Sequence, residues 1–401
     1  MANLGLFQPL FPEDRVLGPL HELAGELIRA CHSMRAVAGQ PLIAALAPKL
    51  RAMNSYYTNK IEGQHTRPAD IERALRQEFD ANEGLARRQR VALAHMQVEA
   101  ELEAHLSGVG VAALYAPGIV PQIHRRLYEK LPAIDRVTGE GVQIVPGAYR
   151  QRDVTAGRHL APAWAEVDGL MRGWADFYAA LPCLEKAVIG AACAHHRLAW
   201  IHPFIDGNGR TARLHSHFVL RALGLTQGLW SSMRGMARTQ EEYYARLSNA
   251  DRPRRNDYDG RGPLSQEELV AFARYALEMC LDQAQFMREM LALDTLRARL
   301  RQLLLHLQDN PWRIGSEISS VKIEALEPLH YVAIAGPVER ARFIAMTGLG
   351  GRTGRRVLAS LLDFGVLTAA TTRAPVAFAV PLRALRFLFP RLWPEAEADL
   401  S

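Results

Sequence analysis

Cysteine is scarce in this 401-residue chain: Cys31, Cys183, Cys193 and Cys280 lie far apart, and no Cys-x-x-Cys pair occurs. That spacing excludes a disulfide scaffold and a zinc ribbon and predicts reduced thiols in a cytoplasmic protein. Long apolar runs are missing as well. The longest uncharged stretch of the central region, Ala187 to His196, is too short to span a bilayer, so no membrane partner is expected. The amino terminus lacks a basic n-region, and Glu13 and Asp14 interrupt it early, so no secretory signal is expected. Repeats and low-complexity tracts are absent, and strand signals are few. What is present, 49% hydrophobic and 22% charged residues, suits an ordinary globular chain of two or three domains.

Helical periodicity dominates, predicting an all-α protein. Leu42, Ile43, Leu46, Leu50 and Met53 mark a helix over about 41–62 that stops at Gly63, and Thr66, Pro68 and Asp70 start the next. Further helices are expected over 118–131, over 184–200 (apolar on most faces, hence in the core), after residue 209, and over about 265–288. The β-favouring runs around Pro146-Gly147, within 142–157, predict a hairpin-like flap. The organisation expected is an N-terminal helical region over 1–105, a catalytic core over 106–295 and a C-terminal module over 300–395.

Chemistry concentrates in His202-Pro-Phe-Ile-Asp-Gly-Asn-Gly-Arg-Thr-Ala-Arg213. Gly207, Asn208 and Gly209 open a helix, so their backbone N–H groups and the helix dipole make an anion site. Arg210 and Arg213, three apart, add charge on one side of its first turn. Asp206 is a hard carboxylate able to hold Mg²⁺ against phosphate oxygens. His202 is the one group in the loop that takes a proton near neutral pH. A phosphate cradle, a metal ligand and a base are the inventory of phosphoryl or nucleotidyl transfer.

The stretch resembles the signature of the Fic family, His-x-Phe-x-Asp/Glu-Gly-Asn-Gly-Arg-x-x-Arg, without departure, and the likeness runs from about Asn54 to Met290. It implies a compact helical bundle with one β-hairpin, with ATP and Mg²⁺ as cofactors. It also implies AMP transfer from ATP to a Tyr, Thr or Ser hydroxyl of a target protein and of the chain itself. His202 would be the base, Asp206 the Mg²⁺ ligand, and Gly207, Asn208, Gly209, Arg210 and Arg213 the triphosphate site. The related Doc kinases carry Lys where this chain has Gly209, which favours AMP over γ-phosphate transfer. The flap, with Gly147, Tyr149, Arg150, Val154 and Gly157, resembles the family's target-docking hairpin, which would register a target segment as an added strand. Glu242 to Leu247 resembles the adenine-side helix, with Tyr244 the choice for the base and Tyr243 the alternative. An asparagine common seven positions beyond is here Asp251, leaving the ribose and base contacts open.

Thr58-Asn-Lys-Ile-Glu62-Gly63 resembles the family's N-terminal inhibitory motif. Glu62 lies at a helix end where the macrodipole disfavours an anion, so a cation is wanted, and Arg213 is the obvious one. Such a pair would occupy an arginine needed for phosphate. Near the C-terminus, nine arginines between Val338 and Arg391 face only Glu339 and Asp363. Arg340 to Met346, Thr353 to Phe364 and a wing over 366–380 fit a winged helix-turn-helix, with residues 340–380 offered to DNA, to a docking partner or to a second copy in a homodimer. Two rival readings stand beside AMP transfer: a de-AMPylating hydrolase using Glu62, and a DNA-binding regulator whose Fic domain senses ATP. His195, His196, His202, His215 and His217 are not expected to form a metal cluster, because their spacing completes no tetrahedral site.

Overall fold

The computed structural model describes residues 4–35, 39–319 and 321–398. Among the described residues it is helical, with three two-stranded hairpins, and the chain divides into two units. The first unit takes in residues 1–32, 51–66 and 70–285, the second 33–50, 67–69 and 286–401.

The first unit holds most of α1 (Gly18–Arg35), the C-terminal half of α2 (Gln40–Ile61), most of α3 (Pro68–Leu75), and α4 (Glu83–His105) and α5 (Ile119–Glu129). It continues with α6 (Val167–Ala179), α7 (Leu184–Ile201), α8 (Asn208–Ala222), α9 (Ser232–Arg238), α10 (Gln240–Asn249) and most of α11 (Gln266–Met290). At its centre is α7, whose small and apolar residues from Ala187 to Leu198 are buried on nearly every face. It packs on α6 and α8, and α5 packs on the other side of α8. Small residues on α7 let neighbours approach closely: the buried Trp174 of α6 donates its indole N–H to the Ala194 carbonyl at 3.0 Å. Pro68 opens α3 at its first position, where the missing N–H costs nothing.

The hairpin of this unit is shorter than expected and lies elsewhere in the flap. Strands β1 (Thr155–Ala156) and β2 (His159–Leu160) pair antiparallel about a turn at Gly157, φ +62°. The expected turn at Pro146-Gly147 is not a strand connection. Gly147 (φ +77°) instead passes close to α5, where a Cβ would come within 3.0 Å of Arg125 and the Pro121 carbonyl. Pro146 has no N–H to offer a ladder.

The second unit holds α12 (Leu293–Asp309), a hairpin of β3 (Arg313–Ile314) and β4 (Glu317–Ile318), and α13 (Leu326–Ala335). Then follow α14 (Arg340–Met346), α15 (Gly351–Phe364), and a hairpin of β5 (Leu367–Thr368) and β6 (Ala377–Phe378). α15 buries Gly354, Val357, Leu358, Leu361 and Phe364 and exposes Arg352, Arg355, Arg356, Ala359 and Asp363. Gly354 is required by the α14 crossing, since a Cβ there would meet the Ile344 side chain at 2.6 Å.

Candidate active site

The loop joining α7 to α8 is held from several directions. α7 ends on His202 in the left-handed region (φ 51°, ψ 59°), a conformation costing a non-glycine residue roughly 1–3 kcal/mol. The surroundings enforce it. The backbone N–H of Arg150 donates to the Pro203 carbonyl, and its Nε donates to the His202 carbonyl, both at 2.9 Å. Phe204 is fully buried with its ring stacked 3.9 Å from His124, a burial worth about 2–3 kcal/mol. Asn208 closes the loop: its Oδ1 accepts from the Phe204 N–H and its Nδ2 donates to the Phe204 carbonyl, both at 2.9 Å. The Asn208 side chain is thus a clasp, and only its backbone faces the anion site.

Gly207 precedes α8 with φ +80°, and a Cβ there would fall 2.6 Å from the Tyr128 ring. Tyr128 accepts a hydrogen bond from Arg210 at 3.1 Å. One turn earlier on α5, His124 accepts the Gly147 N–H at Nδ1 (2.8 Å), which leaves Nε2–H to donate to the Asp206 carbonyl (3.1 Å). Burial pushes His124 down to about 4, so it stays a neutral donor. The pair His124 and Tyr128, spaced i, i+4 on the buried face of α5, positions Asp206, Gly207 and Arg210. The signal for it in the sequence is the strongly amphipathic segment 119–129.

The first turn of α8 leaves N–H groups without intrahelical partners. Glu62 lies beside this turn, against Gly209. A Cβ on Gly209 would collide with Glu62 Oε1, so the carboxylate rests where a side chain would be. The Glu62 carboxylate accepts from Arg213, whose Nε also donates to Thr58 Oγ1 at 2.8 Å. Glu62 is placed by the end of α2: Gln64 N–H bonds the Asn59 carbonyl (2.8 Å) and Gly63 adopts φ +72°, a Schellman cap that needs its glycine. Burial pushes the Glu62 carboxyl up, but Arg213, with Arg210 behind it, outweighs burial and holds it below the usual carboxylate range.

A cleft of about 530 Å³ opens beside this pair, lined by Glu62, His202, Gly209, Arg213, Tyr244 and Asp251 among others. Burial, then the facing His159, lower His202 to about 4, so it is a neutral base near neutral pH. Asp206 is 40% exposed, with Oδ1 taking the Gly207 N–H at 2.6 Å. Its carboxylate fits a hard cation held by one protein ligand and by phosphate oxygens.

Other expected site residues divide into lining and support. Tyr244 lines the cleft and donates its hydroxyl to the Ile61 carbonyl at 2.6 Å, tying α10 to the end of α2. Tyr243 is buried, its hydroxyl 2.9 Å from His195 Nε2. Gly157 reaches the cleft. Val154 stands at the hairpin base, where its carbonyl accepts from Ala161. Arg150 is buried and spans carbonyls of residues 152, 162 and 202, so it is a strut, and Tyr149 leans on Phe204. His195, His196 and His215 are each engaged by local partners: Ser216 and Tyr243, the Leu247 carbonyl, and the Leu114 carbonyl.

This arrangement has counterparts in known proteins. The Fic/DOC family profile matches residues 117–220. A protein adenylyltransferase Fic of Nematostella vectensis is 36% identical over 90 residues, 22% of this chain and 21% of that protein. Its counterpart in Culex quinquefasciatus is 38% identical over 106 residues, 26% of this chain and 19% of that protein. The chain spans about a fifth of the length of these curated relatives. A crystal structure of a Fic family protein from Desulfovibrio desulfuricans shares the fold at a TM-score of 0.54 and 16% identity, covering 94% of this chain and 99% of that one. Fic-1 from C. elegans is similar at a TM-score of 0.50 and 17% identity, over 68% of this chain and 73% of that one. The segment that carries the loop, the clasp and the anion turn, residues 117–220, belongs to the Fic/DOC family.

Proposed function

We propose that the chain is a protein adenylyltransferase held in check by Glu62. A target hydroxyl gives its proton to His202 while its oxygen bonds to the α-phosphorus of ATP, and pyrophosphate leaves. His202, kept neutral by burial, takes the proton without an acid limb near pH 7. The backbone turn of Asn208 and Gly209, with Arg210 and Arg213, binds the phosphates. Mg²⁺ on Asp206 would offset phosphate charge. The observation that carries the reading is the place of the Glu62 carboxylate: it lies against Gly209 and takes up Arg213, an arginine the phosphates would need. ATP labelled at the α-phosphorus, incubated with the Glu62→Gly chain and a lysate, should label protein, and ATP labelled at the γ-phosphorus should not. Label from the γ-position alone would replace the reading with a kinase. Loss of an AMP-removing activity in the same variant would replace it with the hydrolase.

A second reading concerns the second unit, where α13, α14, α15 and the β5–β6 hairpin have the element order of a winged helix. The exposed face of α15 presents Arg352, Arg355 and Arg356 around the small Ala359, and its one acid, Asp363, is engaged by the Trp312 indole at 2.7 Å. That face fits duplex DNA phosphates.

A further inference from the structure

Helices α4, α5 and α8 enclose a small cavity lined by His95, Tyr128 and Arg210 among apolar neighbours. Its volume, about 10 Å³, is the space of one water molecule. Arg210 Nε and His95 Nε2 are both shut off from solvent, and neither has a hydrogen-bond partner among the described residues. The other end of the Arg210 guanidinium is committed: Nη2 donates to the Tyr128 hydroxyl at 3.1 Å and lies 3.6 Å from Asp206 Oδ1. A buried N–H left without an acceptor is costly, and ordered water is the usual remedy where protein atoms do not reach. The His95 ring is equally short of partners. Its Nδ1 lies 3.7 Å from Glu99 Oε2, beyond hydrogen-bond reach. Burial, then His217, Arg213 and Arg210, push His95 down to about 3, so the ring is neutral, with one nitrogen a donor and the other an acceptor. With its proton on Nδ1, toward Glu99, the ring presents a lone pair at Nε2.

We infer that one buried water bridges His95 and Arg210, and that His95 is a positioning residue, fixing through that water the guanidinium that Arg210 offers to phosphate. The water accepts from Arg210 Nε–H and donates to His95 Nε2, which gives each orphaned atom its partner. No direct hydrogen bond joins the two side chains, so the ring acts only through the water. Arg210 follows Gly209 in the first turn of α8. Tyr128 holds one end of its guanidinium and the bridge holds the other. The group is therefore aimed before a phosphate arrives and loses less freedom on binding. That it then serves a triphosphate rests on the adenylyltransferase reading; the bridge itself does not.

Crystals of the full chain that show ordered water test the bridge directly. Density is expected at about 2.7–3.2 Å from both Arg210 Nε and His95 Nε2. A cavity without density, or a ring or guanidinium turned away from it, overturns the bridge. ATP binding by the full chain carrying Glu62→Gly, which frees Arg213, tests the positioning role. His95→Gln places an amide at the Nε2 position and should keep the affinity within about twofold, whereas His95→Leu cannot bond the water and should weaken it about tenfold. If His95→Leu does not fold, His95→Asn, whose amide stops short of the Nε2 position, takes its place in the comparison. Equal ATP affinity in the glutamine and leucine (or asparagine) variants overturns the role of His95. Absent ATP binding by Glu62→Gly itself, with density in the cavity as described, counts against the adenylyltransferase reading and leaves the bridge standing.

Discussion

Glu62 hydrogen-bonds Arg213 with its carboxylate resting against Gly209, so an anion from the chain itself lies beside the first turn of α8. Glu62→Gly removes that anion and frees Arg213. Helix-end glycine costs the fold roughly 1 kcal/mol or less, whereas self-labelling with ATP should rise strongly. Arg213→Ala breaks the same pair but removes the phosphate contact, so its labelling should stay low. Equal labelling in both variants, measured side by side, would refute the assignment.

Acid should loosen the same contact. Because the folded-state carboxyl of Glu62 is held below its unfolded value, the stability it contributes is present above the ordinary carboxylate range and is lost as pH falls through the lowered value. Thermal unfolding of wild type and Glu62→Gln should therefore diverge above about pH 5 and converge in stronger acid.

His202→Ala should abolish transfer and leave ATP binding within a few-fold, since a base acts in the transition state. The pH profile offers a second check. With His202 lowered to about 4, the neutral base is present at all higher pH, so single-turnover labelling by Glu62→Gly should lose its rate only near pH 4. An acid limb near pH 6.5 would show that His202 is not buried during turnover.

Gly207→Ala should be severely destabilising. The left-handed backbone costs an alanine roughly 1–2 kcal/mol, and its Cβ would enter the Tyr128 ring. Gly63→Ala shares the backbone cost but meets open space, so its loss in thermal unfolding should be the smaller.

If the exposed arginines of α15 contact DNA phosphates, duplex binding should weaken steeply with salt, and Arg352→Ala with Arg355→Ala should lower the salt slope. Labelling by the first unit should be unchanged in that variant. No gel shift at low salt would assign the face to a protein partner.

The sequence by itself determined the features that are local. Helix ends at Gly63 and Pro68, the apolar α7, and the turn of glycines before α8 follow from backbone freedom and side-chain periodicity within a few residues. The pairing of Glu62 with Arg213 was also legible, because an anion at a helix end calls for a cation. Tertiary structure decided what depends on segments far apart in the chain. Arg150 reads as docking surface until the carbonyls of Pro162 and His202 converge on its guanidinium. The hairpin moved to Gly157 because residues 146–147 are taken up by α5, an approach that spacing does not record. His124 and Tyr128 stayed hidden for the same reason. A histidine's role is set by which acceptors fold up to its two nitrogens, and only the packed chain brings them there.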